Sequence, residues 1–227
     1  MRAAGIDGGA VEFREVCWSC RRPKALCLCP SEPPMPTRTR VVLLMHPMEW
    51  KHEKCTTGRL TCLNLRNSEI IPGLRFGDDP RYRALVDDPA NFPVLLYPGK
   101  DAFDLSSGGF PAAELGDRRL VVFLIDSTWA CAKAILRESP CLRALPCVKF
   151  TPTVPSRYVI KRQPDPLCLS TIEATHELLL ALENAGLDAY PDKERLLRSF
   201  FAMRDYQLER IADDRNPRRK KKWDRPS

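Results

Sequence analysis

Short, wholly apolar runs alternate with longer amphipathic ones through most of this chain. TRVVLLMH (residues 39–46) sets five apolar residues between polar ends, the pattern of a strand buried on both faces. NSEIIPGL and VLLYPG (residues 94–99) predict two further short strands, the second ending at Pro98-Gly99. Between them FGDDPRYRALVDDPANFP is polar and reads as an excursion with one short helix. The clearest unit is RRLVVFLIDSTWACAKAILRES: an apolar strand over 120–125, cap-type residues Asp126, Ser127 and Thr128, and a helix over 130–138. CVKF and RYVIK predict short strands. LSTIEATHELLLALENAG predicts a strong helix, capped at Ser170 or Thr171, with Glu173 in its first turn and Gly186 as its stop. Further helices are expected over residues 53–65 and 192–211.

Continuous apolar strands alternating with helices indicate an α/β fold, a mostly parallel sheet with helices on both faces. Three regions follow: a cysteine-rich segment with the extended linker SEPPMP (residues 1–36), the α/β body (37–212), and a basic tail (213–227). With 227 residues the chain holds one sizeable core and small appendages.

Charge sharpens this division. The net charge is +7, but residues 215–227 carry seven Lys/Arg against one acid, hence +6, which leaves +1 for everything before them. A tail of that kind suits nonspecific RNA affinity or a solvated extension. No apolar run approaches the roughly 20 residues of a spanning helix, and the first residues lack the apolar stretch of a secretory signal. A cytoplasmic location without membrane contact is therefore expected. In that reducing compartment the ten cysteines point to metal binding or burial rather than disulfides.

Cys17, Cys20, Cys27 and Cys29 place four thiols within thirteen residues. Tetrahedral zinc takes four such ligands at about 2.3 Å, and a set filled by thiolates leaves no open position for catalysis, so the metal would be structural. An iron–sulfur cluster is the competing occupant. Cys55, Cys62, Cys131, Cys141, Cys147 and Cys168 lie scattered on apolar segments and read as core residues.

The turn from strand to helix at Asp126-Ser127-Thr128-Trp129 presents polar groups at a carboxyl edge of the sheet, where open α/β sheets bind ligands. It also fits a capped helix with a buried tryptophan. Taken with CWSCRRPKALCLC, HPMEWKHEKCTTGRL, LLYPGKDA, LPCVKF, SRYVIKRQP and LSTIEAT, in this order along the chain, the segment resembles the DTW-domain family, named for its Asp-x-Thr-Trp motif. The resemblance runs from Cys17 to about Gly186. It implies a tRNA-uridine aminocarboxypropyltransferase that uses S-adenosylmethionine, related to the SPOUT superfamily with its trefoil-knotted cores. The neighbouring alternatives are an S-adenosylmethionine-dependent RNA methyltransferase and a noncatalytic zinc-ribbon protein that binds RNA.

Within that resemblance Asp126, Thr128 and Trp129 are the candidate catalytic residues. Asp126 positions a substrate group or accepts a proton; an ordinary aspartate, with a pKa near 3.9, is a weak base, which favours positioning. Leu96, Tyr97, Pro98, Ser127, Ser170, Thr171 and Glu173 are expected to line the cofactor site, Ser170, Thr171 and Glu173 with plain helix capping as the other role. His46, Glu49, Thr57, Gly58 and Arg59 form the first matching block, with Arg59 suited to a carboxylate or a phosphate. Arg157, Lys161 and Arg162 surround Tyr158 as an RNA contact or a solvated face.

Overall fold

The strand order of the central sheet is β2-β1-β5-β3-β6-β4, and every pairing is parallel. The computed structural model describes residues 15–52, 56–160 and 165–213, and only the backbone of His52 and Trp129. Cys55, Lys161, Arg162, the ring of Trp129 and the basic tail, on which expectations fell, lie outside what is described.

The strands are β1 (Arg40–Met45), β2 (Ser68–Pro72), β3 (Asn91–Leu96), β4 (Phe103–Asp104), β5 (Arg119–Asp126) and β6 (Cys147–Lys149). Their connections carry α1 (Pro47–His52), α2 (Thr57–Asn64), α3 (Pro80–Val86), α4 (Ala112–Leu115), α5 (Trp129–Glu138) and α6 (Pro140–Arg143); α7 (Thr171–Asn184) and α8 (Arg195–Ala212) close the fold. The expected α/β sheet with helices on both faces is what forms.

Alternation along the strands sorts the core into two layers. Val41, Leu43, Val122 and Leu124 face Leu60 of α2, Leu178 and Leu182 of α7, and Phe200 of α8. Val42, Leu44, Val121 and Phe123 face Tyr82 of α3, Ile135 of α5 and Leu142 of α6. Both faces of β1 and β5 are buried, which explains why these strands are continuous apolar runs.

Three expectations need correction. RYVIK forms no strand in its described part, residues 157–160: the Arg157 N–H donates to the Glu173 carboxylate of α7, while the Tyr158 and Val159 N–H groups bond locally, to the Ser156 hydroxyl and the Arg157 carbonyl. The helix expected over 53–65 starts only at Thr57, where Thr56 is extended and its hydroxyl accepts the Arg59 N–H at 3.2 Å; α1 precedes it as a separate helix. The scattered cysteines within the described residues are half-buried rather than core. Cys62 flanks one layer, and Cys141 and Cys147 the other. Strand β3 also starts earlier than expected and includes Pro93, which is tolerated because β6 reaches only Leu95 and Leu96.

Candidate functional site

Strands β1 and β5 are neighbours, with Met45 opposite Asp126 at their carboxyl ends. Between β1 and β2 the chain packs α2 on one face of the sheet; the helix after β5, α5, lies on the other. Chain direction therefore diverges between these two strands, and divergence opens a crevice at the carboxyl edge. Asp126 stands at that point.

Asp126 is the last residue of β5 and only 7% exposed. It points to the layer of α2 and α7, as Val122 and Leu124 do. The Thr171 hydroxyl, on the first residue of α7, donates to Asp126 Oδ1 at 2.6 Å. On the other side Gly58, in the first turn of α2, presses its backbone against the same carboxylate. A Cβ built there would overlap Asp126 Oδ2 and come 2.7 Å from its Cγ. The requirement for glycine is thus steric, and it holds although glycine costs a helix about 1 kcal/mol relative to alanine. The starts of α2, α5 and α7 meet around one buried carboxylate, and the positive ends of their dipoles make the corner receptive to negative charge.

The remaining expected residues distribute around this corner. Thr128 caps α5, its hydroxyl accepting the Cys131 N–H at 3.5 Å, and Ser127 bonds the Thr128 carbonyl. Leu96 ends β3; Tyr97 continues it with one bond from its N–H to the Val148 carbonyl, and Pro98 then leaves the sheet exposed. His46 follows β1, its Nδ1 accepting the Met48 N–H at 3.2 Å. Thr57 is buried, its carbonyl accepting from the Thr61 hydroxyl. Glu49 is half-buried on α1.

Glu173 takes the capping setting, the second of the two roles expected for it. Its buried carboxylate completes a capping box with Ser170 and accepts from the Ser156 hydroxyl at 2.9 Å and the Arg157 N–H at 2.6 Å. One turn on, Glu177 binds the N–H and hydroxyl of Thr153. Together these two carboxylates fasten residues 153–157 onto α7, close to Thr171. The guanidinium of Arg157 lies 5.4 Å from the Phe201 ring, and Tyr158 packs on Phe200.

Arg59 is buried. Its guanidinium stacks 4.0 Å over Trp50 and donates to the Trp50 carbonyl at 3.1 Å, which fastens α1 to α2. Trp50 and Gly58 are the residues whose roles the sequence left unread. A glycine inside the helix predicted over 53–65 was the available signal for one; nothing local marked the other.

The four cysteines converge in space. Cys17 and Cys29 Sγ are 3.6 Å apart, Cys20 and Cys27 Sγ 3.7 Å, and all four lie within 4.8 Å of one another. A tetrahedral Zn–S site has S···S edges of about 3.8 Å, so this set fits a four-thiolate metal. The Cys27-x-Cys29 spacing works because the chain is extended at Cys27, which puts residues two apart on one side. The Cys17 thiol is drawn down to about 6 by backbone N–H groups of the turn, first that of Cys20, and by the Cys29 thiol; burial chiefly pushes Cys29 up. Behind Cys20 the backbone of Arg21 is left-handed, at φ 57°, a conformation that costs a non-glycine residue about 1 kcal/mol. Among the described residues no helix is long and apolar enough to cross a membrane.

The DTW domain family model matches residues 14–208, through both the cysteine cluster and the sheet. The chain is 33% identical over 216 residues to tRNA-uridine aminocarboxypropyltransferase 2 of Drosophila melanogaster, covering 92% of this chain and 81% of that protein. It is 31% identical over 219 residues to the protein of the same name from Mus musculus (93% and 70%). With tRNA-uridine aminocarboxypropyltransferase A of Arabidopsis thaliana the identity is 28% over 216 residues (84% and 78%). No solved structure matches the chain.

Proposed function

The chain belongs to the DTW-domain family, and from that premise we propose that it is a tRNA-uridine aminocarboxypropyltransferase. It moves the 3-amino-3-carboxypropyl group of S-adenosylmethionine to N3 of a tRNA uridine and releases methylthioadenosine. The observation that carries this reading is the buried Asp126 at the divergence of β1 and β5, held between Gly58 and Thr171.

The chemistry asks mainly for orientation. A new bond forms between N3 and the γ-carbon of the methionine arm while the bond from that carbon to sulfur breaks, its electron pair going to sulfur; the N3 proton leaves to a base or to water. Reacting atoms must be held about 3–3.5 Å apart and in line. Asp126 is the positioning group for the substrate, since the Thr171 hydroxyl fixes one oxygen and Gly58 fixes its rotation. Ser127, Thr128 and the N–H groups opening α5 receive the cofactor, with Leu96, Tyr97 and Pro98 contacting its adenosine side through backbone groups. Thr171 and Ser170 line the same pocket, and Glu173 shapes it by holding the 153–157 segment. His46, Glu49, Thr57 and Arg157 face the tRNA side, and Arg59 braces that side through Trp50. Zinc held by Cys17, Cys20, Cys27 and Cys29 fixes the N-terminal segment; residues 1–36, 37–212 and 213–227 act as metal-bearing, catalytic and RNA-attracting parts.

The test is mass spectrometry of nucleosides from unmodified tRNA incubated with protein and S-adenosylmethionine. A uridine heavier by about 101 Da, absent with Asp126→Ala, supports the transfer; a gain of about 14 Da means a methyltransferase instead. RNA binding with no new nucleoside, unaffected by Asp126→Ala, would leave only a binding protein.

A further inference from the structure

Trp18 is 93% exposed, more than any other large apolar side chain among the described residues. It sits in the turn between Cys17 and Cys20, which is held tightly: the Cys17 N–H donates to the Arg22 carbonyl and the Arg21 N–H to the Cys17 carbonyl, both at 2.7 Å. An indole on a rigid turn gains nothing for folding in water, and its two χ angles leave little entropy to lose on contact.

Flat, cationic groups lead from this turn to the candidate active site. Arg21 keeps its side chain despite a left-handed backbone, and its guanidinium lies 4.5 Å over the Trp50 ring. Arg59 stacks on the same ring at 4.0 Å, and its neighbour Gly58 abuts Asp126. In the cysteine turn, residues 15–29, Lys24 pairs with Glu15 at 3.0 Å and the buried Arg22 stacks on Tyr206, which leaves Arg21 as the exposed guanidinium of the turn. Indole rings and guanidinium planes are surfaces on which unpaired nucleobases stack.

We propose that Trp18 stacks on an unpaired base of the tRNA, with Arg21 and Trp50 continuing the platform toward Asp126. The cysteine cluster then serves as the rigid mount of an RNA contact. This rests on tRNA being the substrate, but the binding measurement does not need turnover.

The experiment uses the full metal-loaded chain and fluorescently labelled unmodified tRNA. Trp18→Ala should raise Kd about tenfold, within the range lost when a stacking aromatic is removed, and Trp18→Phe should recover most of it. Stacking also quenches indole emission, so tRNA should quench the wild type more than Trp18→Phe. Zinc content and S-adenosylmethionine binding should match across the three proteins. The proposal is overturned if Trp18→Ala binds tRNA as tightly as wild type, or if it changes only the sedimentation of the RNA-free protein, which would make Trp18 an assembly contact. Wild type that binds tRNA in a Trp18-dependent manner yet yields no modified nucleoside removes the transferase reading and leaves the platform standing; product formation with unchanged Trp18→Ala affinity does the reverse.

Discussion

The corner around Asp126 and the turn around Cys20 both hold polar groups in fixed positions, by opposite means. Beneath Asp126 the side chains of Leu43, Val122 and Leu124 are wholly or almost wholly buried, so the carboxylate rides on close-packed core. Among residues 15–29 only Cys20 and Arg22 are buried, while Val16, Trp18 and Leu26 face solvent. Apolar burial does little to order such a segment; backbone hydrogen bonds hold its turn, and a metal on the four converging thiols would hold it further. One region therefore has geometry set by its core, and the other geometry that a bound metal would complete. Damage to the first should appear in chemistry with the fold intact, and damage to the second in the local fold and RNA affinity.

The strongest test of the corner pairs two variants. Asp126→Asn keeps the shape and removes the charge, and Gly58→Ala keeps the charge and forces the carboxylate aside. Each should lower aminocarboxypropyl transfer by about 100-fold or more, on the scale of a lost positioned polar group, with tRNA affinity near that of wild type. Gly58→Ala should also destabilise the protein by about 1–3 kcal/mol through overpacking. Full activity in Gly58→Ala would mean that the position of Asp126 is not critical. The cysteine turn answers to a different blow. In Cys20→Ser, or after chelation, metal content should fall to zero and tRNA affinity about tenfold, the loss expected when a stacking platform is disordered. The thermal transition of the sheet should persist. Loss of that transition would show that the two regions fold as one.

Between them lies a joint that Arg195 makes. Its guanidinium, on α8, bonds Glu32 Oε2 at 3.2 Å, the carbonyls of Glu32 and Pro33, and Asn64 of α2. The linker is thus tied to the body beside a cleft of about 290 Å³ that Cys27 and Cys29 also line. Arg195→Met keeps the packing and removes the donors, so the bonds that tie Glu32 and Pro33 to α8 are lost, at a cost of about 1 kcal/mol. A lower Tm and faster proteolysis within residues 31–36, with the metal retained, are the expected results. Metal loss in this variant would mean that the cluster depends on the body.

What could be read from the chain divides along the same line. Strands β1 and β5 were legible because burial on both faces makes each an unbroken apolar run, and the turn after β5 because cap residues follow at once. The capping box of α7 was legible for the same local reason. Gly58 had no visible role, since the group it makes room for is contributed by a distant strand. RYVIK looked like a strand by its β-branched and aromatic residues, but its first N–H goes to the Glu173 carboxylate of α7 and the next two bond locally rather than to a sheet edge, which propensity does not register. The cysteine cluster showed its ligands through spacing, while the stacking of Arg21 on Trp50 depends on a fold-level approach between segments that no local pattern announces.

The smallest expected effect separates the two regions by pH. His176 of α7 is buried, with Nδ1 2.9 Å from the Tyr190 hydroxyl. Burial lowers its pKa from the ordinary 6.5, a shift that Arg157 assists and Glu177, Glu194 and Glu173 oppose. Below pH 6.5 the unfolded chain takes up a proton that the folded one refuses, so this stabilisation is complete above pH 6.5 and is lost as the pH falls toward the lowered folded value. Acid would also protonate the thiolates of a metal-loaded cysteine turn and release its metal. Comparing Cys20→Ser with Cys20→Ser/His176→Asn removes the metal contribution from both sides. The Tm of the first should drop more between pH 7 and about pH 5.5 than that of the second, because the two differ only in the buried histidine, whose proton uptake differs between the folded and unfolded states. Equal slopes would mean that the core around α7 is indifferent to this histidine.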